Sequence, residues 1–341
     1  MIETKLSICI PSYNRNTAII KLIKNLLEQL NFYETDLKII ILDNFSPRPY
    51  EKDLRKDQNI LSAFNSGILK IYRNNYNIGM SANFLKAFEL SKSKWLWIVS
   101  DDDLILPGAI KVISKKLNTI ANNVGVIKFT NLNVTPEKNY EIIDNLKKFI
   151  DYNSISKHHF YDFIFISNSI YHVSDFKKIL NIGYQNSHTY VPHFLMISEY
   201  LKNGGKILNT NIKIIKYQIP KINYSYALVG GLGVGGIKYI NLNLTKKYEK
   251  KYYSIFFPYN DYKIIIDLYY LKKNSSAFGY EYYAKNYVNL VKIARNPIKI
   301  LMLNIFWKIG KIRFLFDLLL YVASKVSITF RSHHEEISKK Y

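Results

Sequence analysis

Lys94-Trp-Leu-Trp-Ile-Val-Ser-Asp-Asp-Asp-Leu-Ile-Leu-Pro-Gly108 is the stretch whose reading decides the fold. Trp95 to Val99 is a short apolar, aromatic and β-branched run of the kind that forms a strand buried on both faces. Three carboxylates, Asp101, Asp102 and Asp103, follow where such a strand ends, and Pro107-Gly108 turns the chain toward a helix beginning near Ala109. Like charges packed at a strand end repel and need compensation. A divalent cation shared with a phosphorylated ligand supplies it, because hard oxygen donors suit Mg2+ or Mn2+ and phosphate oxygens complete the shell. A solvated acidic loop capping the next helix is the plainer alternative, with Asp103 near the positive end of the helix dipole. The position after a buried strand favours the ligand site, since open α/β sheets bind ligands at the carboxyl ends of their strands.

Working outward, Leu6 to Ile10 reads as a first buried strand ended by Pro11-Ser-Tyr-Asn-Arg15. A helix follows, with Ile19, Ile20, Leu22, Ile23, Leu26, Leu27 and Leu30 at helical spacing and Asn16 or Thr17 as N-cap. Leu37 to Leu42 is the next strand, with Asp43 at its end; Leu69 to Tyr72 is a weaker one, leading to Arg73-Asn-Asn-Tyr-Asn-Ile-Gly79. Ala82 to Leu90 reads as a helix before the Trp95 strand. Strands alternating with helices signal a parallel sheet wound with helices, an α/β fold. Right-handed crossovers bring Tyr13, Asp43, Asn77 and the Asp triplet to one edge.

Composition bounds the rest. The 341 residues, 48% hydrophobic and 15% aromatic, suffice for a large core and an appendage or a second domain, and exclude a disordered chain. A single cysteine, Cys9, inside an apolar run, excludes a disulfide framework and a cysteine-based zinc site. The strand pattern begins almost at the N-terminus without a secretory signal, so a cytoplasmic location is expected. A net charge of +22 implies an anionic partner: nucleic acid, an anionic membrane surface or a phosphorylated substrate.

Ser7-Ile-Cys-Ile-Pro-Ser-Tyr-Asn-Arg15, Ile41-Leu-Asp-Asn44, Asn77-Ile-Gly79 and Ser100-Asp-Asp-Asp-Leu-Ile-Leu-Pro107, in this order and spacing, resemble the family 2 glycosyltransferases of the GT-A fold. The Asn77 to Asp103 stretch is similar to the abequosyltransferase-like branch that builds bacterial surface polysaccharides. The likeness is clear over the first 120 residues or so and fades near Asn209. It implies inverting transfer of a sugar from a nucleotide-sugar to an acceptor, here a glycan or polyprenyl-linked glycan, with Mn2+ or Mg2+ as cofactor. By the same resemblance Asp43 holds the nucleobase, Pro11, Tyr13 and Arg15 border base and ribose, and Asp101 meets the ribose. Asp102 is the main metal ligand, and Asp103 supports the metal or meets the donor sugar. Asn77 and Asn83 fall in the donor segment, which is shorter here than the family's usual pattern. The family's general base sits in a Glu-Asp pair before a helix-ending Gly; in Val191 to Gly204 that place is held by Pro192-His193. His193 is therefore the expected base, with a usual pKa near neutrality, and His188 and Glu199 are the reserves. Packing or capping is the competing role for a lone histidine at a helix start.

Residues 1–221 are expected to form the catalytic domain, and 222–341 a largely helical, basic region. Gly230-Gly-Leu-Gly-Val-Gly-Gly236 contains a formal dinucleotide-type glycine pattern, but lacks a surrounding βαβ unit and reads as a lid or hinge. Pro297 to Ile328 is apolar yet interrupted by Lys299, Lys308, Lys311, Arg313, Asp317 and Lys325, too often for a transmembrane span. It reads as a basic amphipathic helix on the inner face of the cytoplasmic membrane, with Trp307 and Tyr321 as interfacial aromatics, or as a face packed within the protein. A nucleic-acid-binding protein is the alternative the charge offers, but no recognition module is present and no nucleic-acid partner is expected. A nucleotidyltransferase on a related fold and a homologue that has lost catalysis and serves in assembly are further alternatives.

Overall fold

The computed structural model describes residues 4–30, 37–121, 123–131, 140–189, 191–216, 242–256, 297–310 and 312–326. They fall in two compact units: one takes in the chain through Pro220 apart from His188–Tyr190, and the other holds that short segment and the chain from Lys221 onward.

The first unit begins β1 (Leu6–Ser12), α1 (Asn16–Gln29), β2 (Leu37–Asp43), α2 (Glu51–Leu54), α3 (Gln58–Asn65), β3 (Leu69–Arg73), α4 (Met80–Leu90), β4 (Trp95–Ile98), β5 (Leu104–Ile105), α5 (Ala109–Thr119) and β6 (Val124–Lys128). It continues with β7 (Tyr140–Ile143), α6 (Leu146–Ile155), α7 (Lys157–Ile164), β8 (Ser169–His172), α8 (Val173–Lys178), α9 (Leu180–Gln185), α10 (Pro192–Lys202), β9 (Lys206–Thr210) and β10 (Ile215–Lys216). The main sheet runs β3-β2-β1-β4-β8-β6-β9-β7, and β5 pairs with β10 in a separate antiparallel ribbon. From β3 to β4 all pairing is parallel. The parallel pattern expected from the sequence is then broken by β8, antiparallel to β4 and β6, and by β7, antiparallel to β9. The sheet is thus mostly parallel, an α/β architecture.

The physical basis is burial on both faces. Ile8, Cys9 and Ile10 in β1, and Trp97 in β4, are fully inaccessible, as continuous apolar strands under helices should be. Helix α1 buries Ile19, Leu22, Ile23, Leu26 and Leu27, a stripe at the three-to-four spacing of one helical face. Its start differs from the sequence reading: Arg15 is the N-cap and makes no side-chain cap, while Asn16 and Thr17 lie inside the helix. Helix α5 is likewise entered through Gly108, whose φ of 76° suits a residue without a Cβ, rather than through a capping aspartate. Strands β2 and β3 lie to one side of β1 and β4 to the other, so the strand order reverses between β1 and β4. Crevices outside strand ends open at such switch points.

Below the carboxyl end of β6 lies a buried ion pair. Lys128 Nζ, on a wholly enclosed side chain, donates to Asp162 Oδ2 at 3.1 Å, and Asp162 Oδ1 accepts from Asn131 N and Asn168 Nδ2, both at 2.8 Å. Burial pulls the Lys128 ammonium down to about 8, against the neighbouring carboxylate.

In the second unit α11 spans Lys246–Phe256. The run expected as one helix from Pro297 to Ile328 forms two, Pro297–Gly310 and Arg313–Val326. No described helix is long and apolar enough to cross a membrane. The Gly230–Gly236 pattern lies outside the described residues.

Asp162→Ala would leave the Lys128 charge buried and unpaired, a loss of about 3–5 kcal/mol of stability. Urea denaturation should show it, and Lys128→Met added to Asp162→Ala should recover part of the loss through their coupling.

Candidate active site

Strand register builds the site. Ser12 of β1 stands opposite Asp43 of β2, and Asp43 opposite Arg73 of β3, so three strand ends meet on one edge. Val99, just past β4, donates its N–H to Cys9 O at 2.9 Å, which sets the Asp triplet beside the β1 loop. The convergence expected from the order of elements is present: Ser12 Oγ donates to Asp101 Oδ2, and Asn44 Nδ2 donates to Asn77 Oδ1 at 2.7 Å. Tyr13 lies exposed on that edge.

The three carboxylates occupy different electrostatic environments. Asp101 is enclosed, accepting from Ser12 and from Arg15 Nη1 at 3.0 Å; burial is the main force that lifts its pKa to about 6. Asp103 is equally enclosed and accepts from Ser167 Oγ at 2.6 Å; burial, with the charges of Asp102 and Asp101, lifts it to about 7. Asp102 is more open. Burial works against its charged form too, but hydrogen bonds from Ser100 and Arg15 outweigh this and hold it below the usual carboxylate value. Burial thus makes two of the three carboxyls harder to ionise, while the hydrogen-bonded Asp102 keeps its charge. A cavity of about 140 Å3 opens against the triplet, bordered by Ala18, Lys21, Leu22 and Asn25 of α1.

Ser167 and Arg73 escaped the sequence reading. Ser167 lies far along the chain in the one-turn helix Ile166–Asn168, where its Oγ also accepts from Ser100 N at 2.9 Å. Arg73 donates to Asp43 Oδ2 and, through Nη2, to Ser46 O at 2.8 Å, while Ser46 N donates to Asp43 Oδ1 at 2.8 Å. Both oxygens of the enclosed Asp43 are therefore engaged, and the Arg73 side chain beside it is about a third exposed, at 32%. The Arg73 guanidinium lies 5.0 Å from the Phe45 ring, and Phe45 itself has φ 66°, a rare conformation for a bulky residue. Strain of this kind concentrates at ligand sites. The position of Arg73 at a strand end opposite Asp43 was the signal that would have found it.

Two of the expected site residues are enclosed. Asn83 is buried, its Oδ1 accepting from Asn74 Nδ2 at 2.8 Å and its Nδ2 donating to Leu42 O at 3.1 Å, so it ties α4 to β2. His193, at the start of α10, lies in the core rather than on the site edge. Its Nε2 donates to Ile164 O at 2.9 Å, its ring meets Phe84 edge-on at 5.5 Å, and burial drops its pKa to about 4. An enclosed imidazole of that kind cannot take a proton from a substrate hydroxyl in solvent. His188 is exposed in the one-turn helix Ser187–Thr189 and clusters with the second unit. Asn77 Oδ1 also accepts from Gly79 N at 3.0 Å, so this side chain shapes the loop in which it stands.

Residues 7–200 match Glycosyl transferase family 2, more than half of the chain. The chain belongs to this family. Among curated proteins it is 30% identical over 118 residues to the abequosyltransferase RfbV of Salmonella typhimurium, covering 34% of each chain. It is 28% identical over 117 residues to the GalNAc(5)-diNAcBac-PP-undecaprenol beta-1,3-glucosyltransferase of Campylobacter jejuni, covering 33% of this chain and 35% of that one. The match thus spans about a third of the length of each of these relatives. In fold it is similar to TarS 1-349 of S. aureus, solved with UDP, at TM-score 0.55 and 15% identity over 99% of this chain and 92% of that one. It also resembles the mannosyltransferase PcManGT of Pyrobaculum calidifontis, solved with GDP-Man and Mn2+, at TM-score 0.53 and 12% identity over 93% and 88% of the two chains. These solved structures are GT-A glycosyltransferases, and the fold of the catalytic unit is the GT-A fold.

The donor set fits a divalent cation. It consists of hard oxygens on three neighbouring carboxyls, those of Asp101 and Asp103 raised by burial and by neighbouring charge. This suits an ion that binds through few carboxylates together with phosphate oxygens.

The burial of His193 predicts a pH signature. The folded ring stays neutral down to about pH 4, whereas the unfolded ring takes up its proton near 6.5. Wild type should therefore lose stability, relative to His193→Gln, as pH falls from 7 to 4 in denaturant titrations. The same variant should keep more than about a tenth of wild-type kcat, whereas removing a true general base costs 10²–10⁴-fold.

Proposed function

We propose that this family 2 enzyme transfers a sugar from a nucleotide-sugar to a glycan or polyprenyl-linked glycan of a bacterial surface polysaccharide, with inversion, and that Asp102 binds a divalent cation, Mn2+ or Mg2+. The observation that carries this reading is the meeting, on one sheet edge, of an acidic triplet with the Arg15 and Asp43–Arg73 groups. One relative is by its name an abequosyltransferase and another acts on a PP-undecaprenol-linked glycan, and structural neighbours are solved with nucleotide-sugars.

In the transfer, the acceptor hydroxyl oxygen bonds to the anomeric carbon as the bond to the diphosphate oxygen breaks; the diphosphate leaves with the electron pair, and the hydroxyl proton passes to a base on the acceptor side. The cation would neutralise charge developing on that leaving group. Lys21 at the cavity rim adds positive charge on the same side. Asp101, enclosed beside Ser12, and Asp103, braced by Ser167, hold the loop that presents Asp102. Pro11, Tyr13 and Asn77 border the nucleoside. The base is read jointly by Asp43 and Arg73, the guanidinium offering donors to a carbonyl-bearing base while Asp43 fixes its plane.

The second unit fits attachment to an anionic membrane face, where a lipid-linked acceptor would be found. Leu301, Ile305, Phe314, Leu318 and Tyr321 on the helices Pro297–Gly310 and Arg313–Val326 are exposed, on a chain of net charge +22. Apolar side chains with basic neighbours suit the interface of anionic lipid.

Donor screening by hydrolysis of nucleotide-sugars in Mn2+, followed by transfer assays, tests the activity. Asp102→Asn should lower kcat by about 10²-fold or more, the scale for losing stabilisation of a leaving charge, with an unchanged urea midpoint. Full activity of wild type in EDTA would remove the cation from the reading. Arg73→Ala should raise donor KM by about tenfold or more, the worth of a charged hydrogen bond, with little effect on kcat. Phe314→Glu with Leu318→Glu should weaken co-sedimentation with vesicles containing anionic lipid while leaving donor hydrolysis intact; unchanged sedimentation would place the membrane contact elsewhere.

A further inference from the structure

We propose that Arg15 holds the place of the divalent cation in the donor-free enzyme, and that it must release Asp102 for the cation to bind, its guanidinium then passing to the diphosphate. The inference rests on the reading of Asp102 as the metal ligand.

Both oxygens of Asp102 are already committed. Oδ1 accepts from Ser100 Oγ at 2.5 Å, and Oδ2 accepts from Arg15 Nη1 at 2.7 Å. The same Nη1 reaches Asp101 Oδ1 at 3.0 Å. One cationic nitrogen thus bridges the two carboxylates and sits against the oxygen of Asp102 that a cation would need. A dication bonded to Asp102 with the guanidinium still in place would bring like charges within a few ångströms of each other, a strong repulsion in a partly buried site. Arg15 and metal therefore compete for Asp102.

The backbone of the residue is held independently of its bonds to the carboxylates. Arg15 N donates to Tyr50 Oη at 3.2 Å, and Arg15 O accepts from Ile19 N at 3.0 Å, the first turn of α1. Asn14 before it has φ 56° and is pinned by N–H donation to Ser46 Oγ at 2.8 Å. At the N-cap, the Arg15 side chain makes no capping bond, so its departure from the carboxylates costs the helix nothing. The side chain is about a third exposed, at 35%. A guanidinium matches phosphate oxygens as well as it matches carboxylates. A diphosphate next to the triplet gives it a second partner, and the cation takes the vacated oxygen. Metal and diphosphate then bind with positive coupling, each raising the affinity for the other.

Mn2+ titration of the nucleotide-free, full-length protein, followed by the electron paramagnetic resonance signal of free Mn2+, tests this without any turnover. Arg15→Gln should bind Mn2+ about tenfold more tightly than wild type, because a competing neighbouring charge is gone. Arg15→Lys, which keeps the charge, should stay within about threefold of wild type. Asp102→Asn should abolish binding. If Arg15→Gln binds no more tightly than wild type while Asp102→Asn abolishes binding, the metal assignment stands and the place-holding role of Arg15 is overturned. If Mn2+ binding is undetectable in Arg15→Gln, or survives Asp102→Asn, the metal assignment falls and this inference falls with it.

Discussion

Three adjacent carboxylates at the mouth of a fully buried strand are the constraint on which this structure turns. β4 is apolar on every residue, so the chain leaves a low-dielectric interior directly into Ser100 and the Asp triplet. Such a sequence folds only if neighbours supply donors and positive charge. Ser12, Arg15, Ser100 and Ser167 do so, each from a different place along the chain or from the turn itself. Compensation is incomplete, which is why Asp101 and Asp103 are raised and Asp102 is not. An environment that resolves chemically identical side chains into different roles is characteristic of functional sites.

Polar groups buried beneath the edge keep it in place. Asp162 gathers Lys128, Asn131 and Asn168, and Asn168 adjoins the Ser167 that braces Asp103. On the opposite flank a ladder of asparagines runs from Asn83 through Asn74 to Asn44 and on to Asn77, with Lys86 donating to Asn74 Oδ1 at 2.7 Å. Each network satisfies backbone or amide groups that could not be left unpaired in the interior. The site edge is thereby carried by two rigid supports, one beneath the triplet and one beneath the loop after β3.

Likeness to other proteins follows the same division. Identity near 30% extends over about a third of the chain, while similarity of fold to TarS extends over nearly the whole chain at 15% identity. A fold persists on burial patterns that many side chains satisfy, but a charged edge demands particular residues. Where this chain departs from the family's usual acids, at Pro192-His193, the helix remains and the residue has become part of the core.

By itself the sequence determined the alternation of strand and helix up to Ala109 apart from α2, α3 and β5, the convergence of Tyr13, Asp43, Asn77 and the Asp triplet, and the family resemblance. These rest on local periodicity and on the handedness of crossovers, which act over short stretches of chain. Only the tertiary structure decided which polar residues stand on the site edge and which are buried beneath it. Asn83 and His193 have the chemistry of site residues but point inward, and Arg73 and Ser167 read as ordinary loop or strand-end residues yet grip Asp43 and Asp103. The orientation of a polar side chain depends on partners distant in sequence, so the cost of burying it and the bonds that offset that cost appear only when the sheet has brought those partners together.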